Sequence, residues 1–147
     1  MTTLKEQLST DFKAAMKDKD LVRKELVQLV RAGVLQIEKD QQIEADDAVV
    51  ISVVQKEVKK RRELMNEIGT SRPDLSEKAE AEIAVLENYL PKQFSEVELT
   101  ELIRGKVEAL GATSMKDMGK VMKDLMPLVQ GKADGSDVSR ILKSLLS

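Results

Sequence analysis

Apolar residues recur at steps of three and four nearly everywhere along this chain, and that period favours helices over strands. Leu4, Leu8, Phe12, Ala15 and Met16 line one face of a first helix, and Thr3-Leu4-Lys5-Glu6 at its start has capping-box spacing. Asp18 or Asp20 caps a second helix, with Val22, Leu26, Leu29, Val30, Val34 and Ile37 inward. Gly33 falls inside that helix, where glycine costs roughly 1 kcal/mol against alanine, and a close helix crossing is the expected reason. Asp46 or Asp47 opens a third helix, with Val50, Ile51, Val54, Val58, Met65 and Ile68 as its buried stripe. The β-branched run AVVISVV invites a strand. The spacing nevertheless continues into KEVKKRRELMNEIG with no turn residue between, so helix is the reading. Gly69 and Pro73 break the pattern, and a fourth helix then carries Leu75, Ala79, Ile83, Leu86 and Leu90. It ends at Pro91, because proline cannot continue it.

YLPKQFS is the domain boundary, and Ser95-Glu96-Val97-Glu98 is a second capping box that starts the next helix. Leu99, Leu102, Ile103, Val107 and Leu110 follow, with Gly111 as a C-terminal glycine. Ser114 with Asp117 starts a sixth helix, Pro127 ends or kinks it, and Gly131 closes the turn. Asp134 caps a seventh, with Val138, Ile141, Leu142, Leu145 and Leu146 inward. The expected fold is all-α: a four-helix bundle-like domain over residues 1–93, then a three-helix domain over residues 94–147. At about 50 residues the second domain sits near the lower limit for independent folding.

Composition prunes the chemistry. The chain has 147 residues, no His and no Cys. That removes the usual zinc sites, the Ser-His and Cys-His nucleophile pairs, and the Glu-x-x-His helical di-iron motif. Neither GxxxxGK[ST] nor GxGxxG is present. No cofactor and no metal are expected. Tyr89, Phe12 and Phe94 are the aromatic residues, so the core must be aliphatic. No segment approaches the roughly 20 apolar residues of a membrane helix, and the N-terminus has acids early and no apolar run of a secretory signal. With no cysteine there is no disulfide framework, and a cytosolic protein away from membranes is expected. Net charge is −2, so any nucleic-acid contact must come from local basic faces.

Two stretches carry a resemblance. YLPKQFS, followed by SMKDMGKVMKDLMPLVQGKADGSDVSRILKSLL, resembles the C-terminal region of the YqeY family. KEVKKRRE and the later RPDL and EKAEAEIAVLENYLP are similar to that family's N-terminal bundle. The motif positions include Pro91, Asp117, Met118, Gly119, Gly131, Asp134 and Gly135. The resemblance extends to the tRNA-dependent amidotransferase, one subunit of which ends in a tail with the same C-terminal module. That enzyme uses the tail to engage tRNA while other domains do the chemistry. The resemblance implies two helical bundles in series and an RNA-facing role. It implies no activity, because the amidase and kinase-like portions of that enzyme have no counterpart here.

Five features are candidates for function. Met115, Met118, Met122 and Met126 could form an adaptable groove, but their spacing and the lack of nearby aromatics favour core packing. Lys116, Lys120 and Lys123 recur on one helix side, with Lys132 in the next turn and Arg140 and Lys143 on the last helix. Together they suit several phosphates, although charge runs commonly just solvate helices. In QGKADGS, helix-start amides attract phosphate, but Asp134 and Asp137 compete for the same amides, and Gly131 and Gly135 read as backbone requirements. In KEVKKRR, Lys59, Lys60 and Arg62 with Lys56 and Arg61 suit a phosphate or an acidic partner, and equally an exposed face paired with Glu57, Glu63 and Glu67. Glu77, Glu80, Glu82 and Glu87 read as solvated carboxylates.

The leading expectation is a non-catalytic accessory protein that binds tRNA or another structured RNA. The second is an adaptor for an amidotransferase or synthetase, anchored by Tyr89, Leu90 and Phe94. The third is a carbon–nitrogen ligase using glutamine, for which the Gly- and Ser-rich loops of a Ser–Ser–Lys site are missing.

Overall fold

A computed structural model describes residues 3–147, so the first two residues of the expected N-terminal domain lie outside it. Among the described residues all regular structure is helical: α1 (Leu4–Lys17), α2 (Leu21–Gln41), α3 (Asp47–Ile68), α4 (Pro73–Glu87), α5 (Glu96–Leu110), α6 (Met118–Val129) and α7 (Gly135–Leu146), with one 3₁₀ turn (Met115–Asp117). The chain forms two compact units, Met1–Pro91 and Lys92–Ser147.

The caps set the boundaries. Thr3 accepts from the Glu6 amide while Glu6 reaches back to the Thr3 amide. Ser95 and Glu98 repeat that reciprocal pair at α5. Of the alternatives, Asp20 caps α2 and Asp46 caps α3. Asp18 ends α1 instead, and Asp47 accepts from the Leu4 amide at 2.9 Å, tying the start of α1 to the start of α3. Pro73 is the first residue of α4, where its missing N–H costs nothing. The fourth helix stops at Glu87, short of Pro91, and tight bonds from Tyr89 to Leu86 and from Leu90 to Glu87 carry the chain on. Pro127 does not end α6, which runs through it to Val129. Pro127 is exposed, so the Lys123 carbonyl that loses its partner lies on the solvent side.

The first unit buries Leu8, Leu26, Val30, Val50, Val54, Val58 and Leu86, an aliphatic core built largely of valine. The run AVVISVV is helical, as its spacing required. A Cβ added to Gly33 would stand 2.9 Å from Val53 Cγ1, so the close crossing of α2 on α3 is real. Two expected core residues are corrected: Val22 is 47% and Leu29 is 44% exposed, while Val27 is buried. At 100° per residue Val22 lies about 80° and Leu29 about 100° from the centre of the Leu26–Val30–Val34 stripe.

Tyr89 closes this unit. Its buried hydroxyl donates to Asp11 Oδ2, while Gln7 and Arg23 hold Asp11 Oδ1 at 2.9 and 3.2 Å. Burial, reinforced by Asp11, pushes the Tyr89 pKa up, which keeps the phenol a donor. Arg61 joins α3 to α4 through Glu57 at 2.8 Å and Glu82 at 3.4 Å. Burial pushes the Glu57 carboxyl up, but hydrogen bonds from Arg61 and Lys60 outweigh it and hold Glu57 below the usual range.

The second unit packs α5, α6 and α7 around Leu99, Ile103, Val121, Leu125, Val129, Val138 and Leu142. Gly111 ends α5 at φ +64°, and Gly131 turns the chain after α6 at φ +79°.

Two outcomes follow from the first unit. Gly33→Ala gains helix propensity but forces the Val53 contact, so a net loss of about 1–2 kcal/mol is expected in urea unfolding. A lowered carboxylate stabilises the fold above its unfolded pKa of 4.5 and loses that contribution as pH falls through the folded value. Stability should therefore decline as pH drops below 4.5. Glu57→Gln should lose roughly 1–2 kcal/mol at neutral pH and flatten the acid limb, both read from urea midpoints against pH.

Candidate nucleic-acid interface

A lysine is available to an outside anion only when no carboxylate of its own chain holds it. Lys116, Lys120, Lys123, Lys132 and Lys143 are all exposed, and none forms an ion pair among the described residues. Lys120 and Lys123 lie on the solvent face of α6, opposite Val121, Leu125 and Val129, about 60° apart around the helix. Lys116 belongs to the preceding 3₁₀ turn, so the expected row is broken at its first member. Lys143 stands on α7 three residues after Arg140. Arg140 is engaged with Glu96 at 2.9 Å and Asp137 at 3.8 Å.

The basic run on α3 behaves differently. Lys60 pairs with Glu57 at 3.2 Å, Arg61 with Glu57 and Glu82, and Arg62 with Glu87 at 2.9 Å. Lys56 and Lys59 are exposed and carry no ion pair among the described residues. Of the expected same-helix partners only Glu57 serves. Glu82 and Glu87 of α4 replace Glu63 and Glu67, at sequence separations of 21 and 25. Two of the four α4 glutamates, Glu82 and Glu87, thus have a structural use, while Glu77 and Glu80 are exposed, and no group of three or more metal-ligating side chains is assembled among the described residues.

The turn before α7 is held from within. Asp134 Oδ1 accepts from the Ser136 amide at 3.0 Å and the Ser136 hydroxyl at 2.9 Å, so a carboxylate already sits at the helix start. Gln93 Nε2 donates to the Gly131 carbonyl at 2.7 Å, and the Phe94 amide donates to the Lys132 carbonyl at 3.0 Å. These two bonds join YLPKQFS to GKADG and explain why both stretches stand out together. Gly131 needs its left-handed backbone. Gly135 does not: its φ is ordinary and a Cβ there would meet nothing within 4 Å. Gly119, on α6 beside Lys120, has the same open surroundings.

The methionine row is not the core. Met115 is 42% and Met126 43% exposed, whereas Met118 and Met122 pack partly against Val121, Leu125 and Val129. Each step of four turns about 40° past a full revolution, so the row drifts off the buried stripe. The expected adaptor anchors are corrected too. Tyr89 is buried with its hydroxyl engaged, and Leu90 and Phe94 pack against the cores of their own units.

A 26% identity over 144 residues, covering 95% of this chain and 79% of the relative, links it to altered inheritance of mitochondria protein 41, mitochondrial, of Pyrenophora tritici-repentis. Among the described residues no helix is long and apolar enough to cross a membrane. The profile of Yqey-like protein matches residues 5–146, nearly the whole length, and the chain belongs to the YqeY family.

Proposed function

We propose that this protein is a non-catalytic cytosolic accessory factor that binds tRNA, or another structured RNA, through the lysines of its C-terminal unit, in connection with tRNA-dependent amidation. The observation that carries the reading is the contrast in charge use. The arginines and Lys60 of α3 are engaged with carboxylates, whereas Lys116, Lys120, Lys123, Lys132 and Lys143 are exposed and form no ion pair among the described residues. Such lysines on a folded surface neutralise phosphates without first breaking an internal pair. Gly119 adds support. An exposed helical glycine costs stability, and nothing among the described residues crowds it, so close approach of an outside backbone gives it a use. Tyr89 is buried and Phe12 and Phe94 are half-buried, so base stacking is not offered and recognition is by shape and backbone.

The test is binding of bulk tRNA and of an unstructured RNA at two salt concentrations. Three to four phosphate contacts predict a roughly 40- to 150-fold loss of tRNA affinity between about 50 and about 200 mM salt. Lys116→Glu with Lys120→Glu and Lys123→Glu should weaken binding at least about tenfold. Equal affinity for both RNAs, or indifference to the triple reversal, sinks the reading. Gly119→Ala separates fold from function: it should stabilise the protein by about 0.5–1 kcal/mol while weakening tRNA binding. A stabilised variant with undiminished affinity removes Gly119 from the interface.

A further inference from the structure

Along the seam between α1 and α2 lie two hollows of about 420 and 400 Å³. Among the α2 residues that line them, Leu21, Lys24, Gln28, Arg31 and Leu35 recur at steps of three and four and therefore share one helix face. On α1 the lining residues Lys5, Ser9, Phe12 and Met16 recur in the same way. The hollows share no lining residue but follow one another along the same seam, and together they mark a groove about 21 Å or four helical turns long on the α2 side.

Its surface is apolar and basic at once. Met16, Leu21 and Leu35 are 48%, 66% and 49% exposed, apolar area left uncovered among the described residues. The Arg31 guanidinium lies 4.9 Å over the centre of the Phe12 ring. That stacking leaves its N–H edge open to a carboxylate, and neither Arg31 nor Lys24 has an ion pair among the described residues. Glu38 is the carboxylate lining the hollows, and it is already held by Lys5 at 2.6 Å and by the Ala45 amide at 2.8 Å. The uncompensated charge of the groove is positive.

We infer that this groove docks an amphipathic helix of another protein, with an apolar seam at steps of three and four flanked by acidic side chains. Two parallel rows at that spacing form the holes into which a third helix sets its knobs. Lys24 and Arg31 then receive the acidic flank. A phosphate backbone would satisfy those two cations but leave Met16, Leu21 and Leu35 bare. A bilayer favours a convex apolar face over a groove. The groove is built by the first unit alone, and the inference does not rest on the RNA reading.

The test uses the full chain and labelled synthetic peptides of four helical turns: one with a leucine seam and glutamate flanks, one with the same seam and lysine flanks, and one with glutamate flanks and a serine seam. Fluorescence anisotropy should rank the first at least tenfold tighter than either of the others. Lys24→Glu with Arg31→Glu should invert the order of the two leucine peptides, and Leu35→Ser should weaken the first. Circular dichroism of the variants checks that these substitutions leave the fold intact. Lys116→Glu with Lys120→Glu and Lys123→Glu should leave peptide binding unchanged, which separates this surface from the RNA face. An equal response to all three peptides, or a ranking untouched by the charge reversal, overturns the inference. So does saturation of Lys24 and Arg31 by phosphatidylserine vesicles or tRNA without displacement of bound peptide, or self-association that Leu35→Ser abolishes.

Discussion

A core made of valine forces its helices close together. The aromatic complement is one tyrosine and two phenylalanines, and the first unit fills most of its interior with Val27, Val30, Val34, Val50, Val53, Val54 and Val58. These side chains are short and stiff at χ1, so they close the space between helices only when the backbones themselves approach. Gly33 makes room for one such approach, with Val53 seated where its own side chain would be. The partner residues on α2 and α3, and through them the long pairs to α4, depend on that distance being kept.

With so few large side chains, charge takes over part of the work of fixing the helices. Arg61 and Arg62 reach from α3 to carboxylates on α4, and Asp11 gathers Gln7, Arg23 and Tyr89. This network also sorts the basic residues. Those that hold helices together are unavailable to an outside anion, and those that hold nothing include Lys56 and Lys59 of α3 as well as the lysines of α6, the turns on either side of it, and α7. The same sorting leaves Lys24 and Arg31 without a carboxylate on the α1–α2 seam, beside apolar surface. The C-terminal lysines have phosphate as their natural partner, whereas the seam residues ask for a carboxylate carried on an apolar helix.

Much of the fold was legible because its signals are local. Thr3 with Glu6, Ser95 with Glu98, Gly111 and the three-four spacing each depend on residues within one turn. Gly33 announced a crossing because a helix interior has few other uses for glycine. What was not legible depends on partners far along the chain. Val22 and Leu29 fit an apolar stripe as well as Val27 does until α1, α3 and α4 choose the face. Arg62 looks as free as Lys123 until Glu87 comes from another helix to meet it. The methionine row misled because steps of four mimic a stripe while steadily rotating away from it. The groove between α1 and α2 had no signature, since each helix alone shows only an ordinary outer face.

The contact between Asp11 and Tyr89 spans 78 residues, almost the whole first unit. During synthesis from the N-terminus, α1 and the α1–α2 hairpin emerge long before the tyrosine that completes them. Until then Asp11 has Gln7 and Arg23 for company, both close in sequence, and its second oxygen faces water. The helical hairpins can assemble from near neighbours in chain order, but the final lock is withheld until α4 has been made and its last turn has passed. The unit is therefore closed by one of its last residues, and a nascent chain cut off before Tyr89 carries the helices without the bond that ties the first of them to the end of the unit.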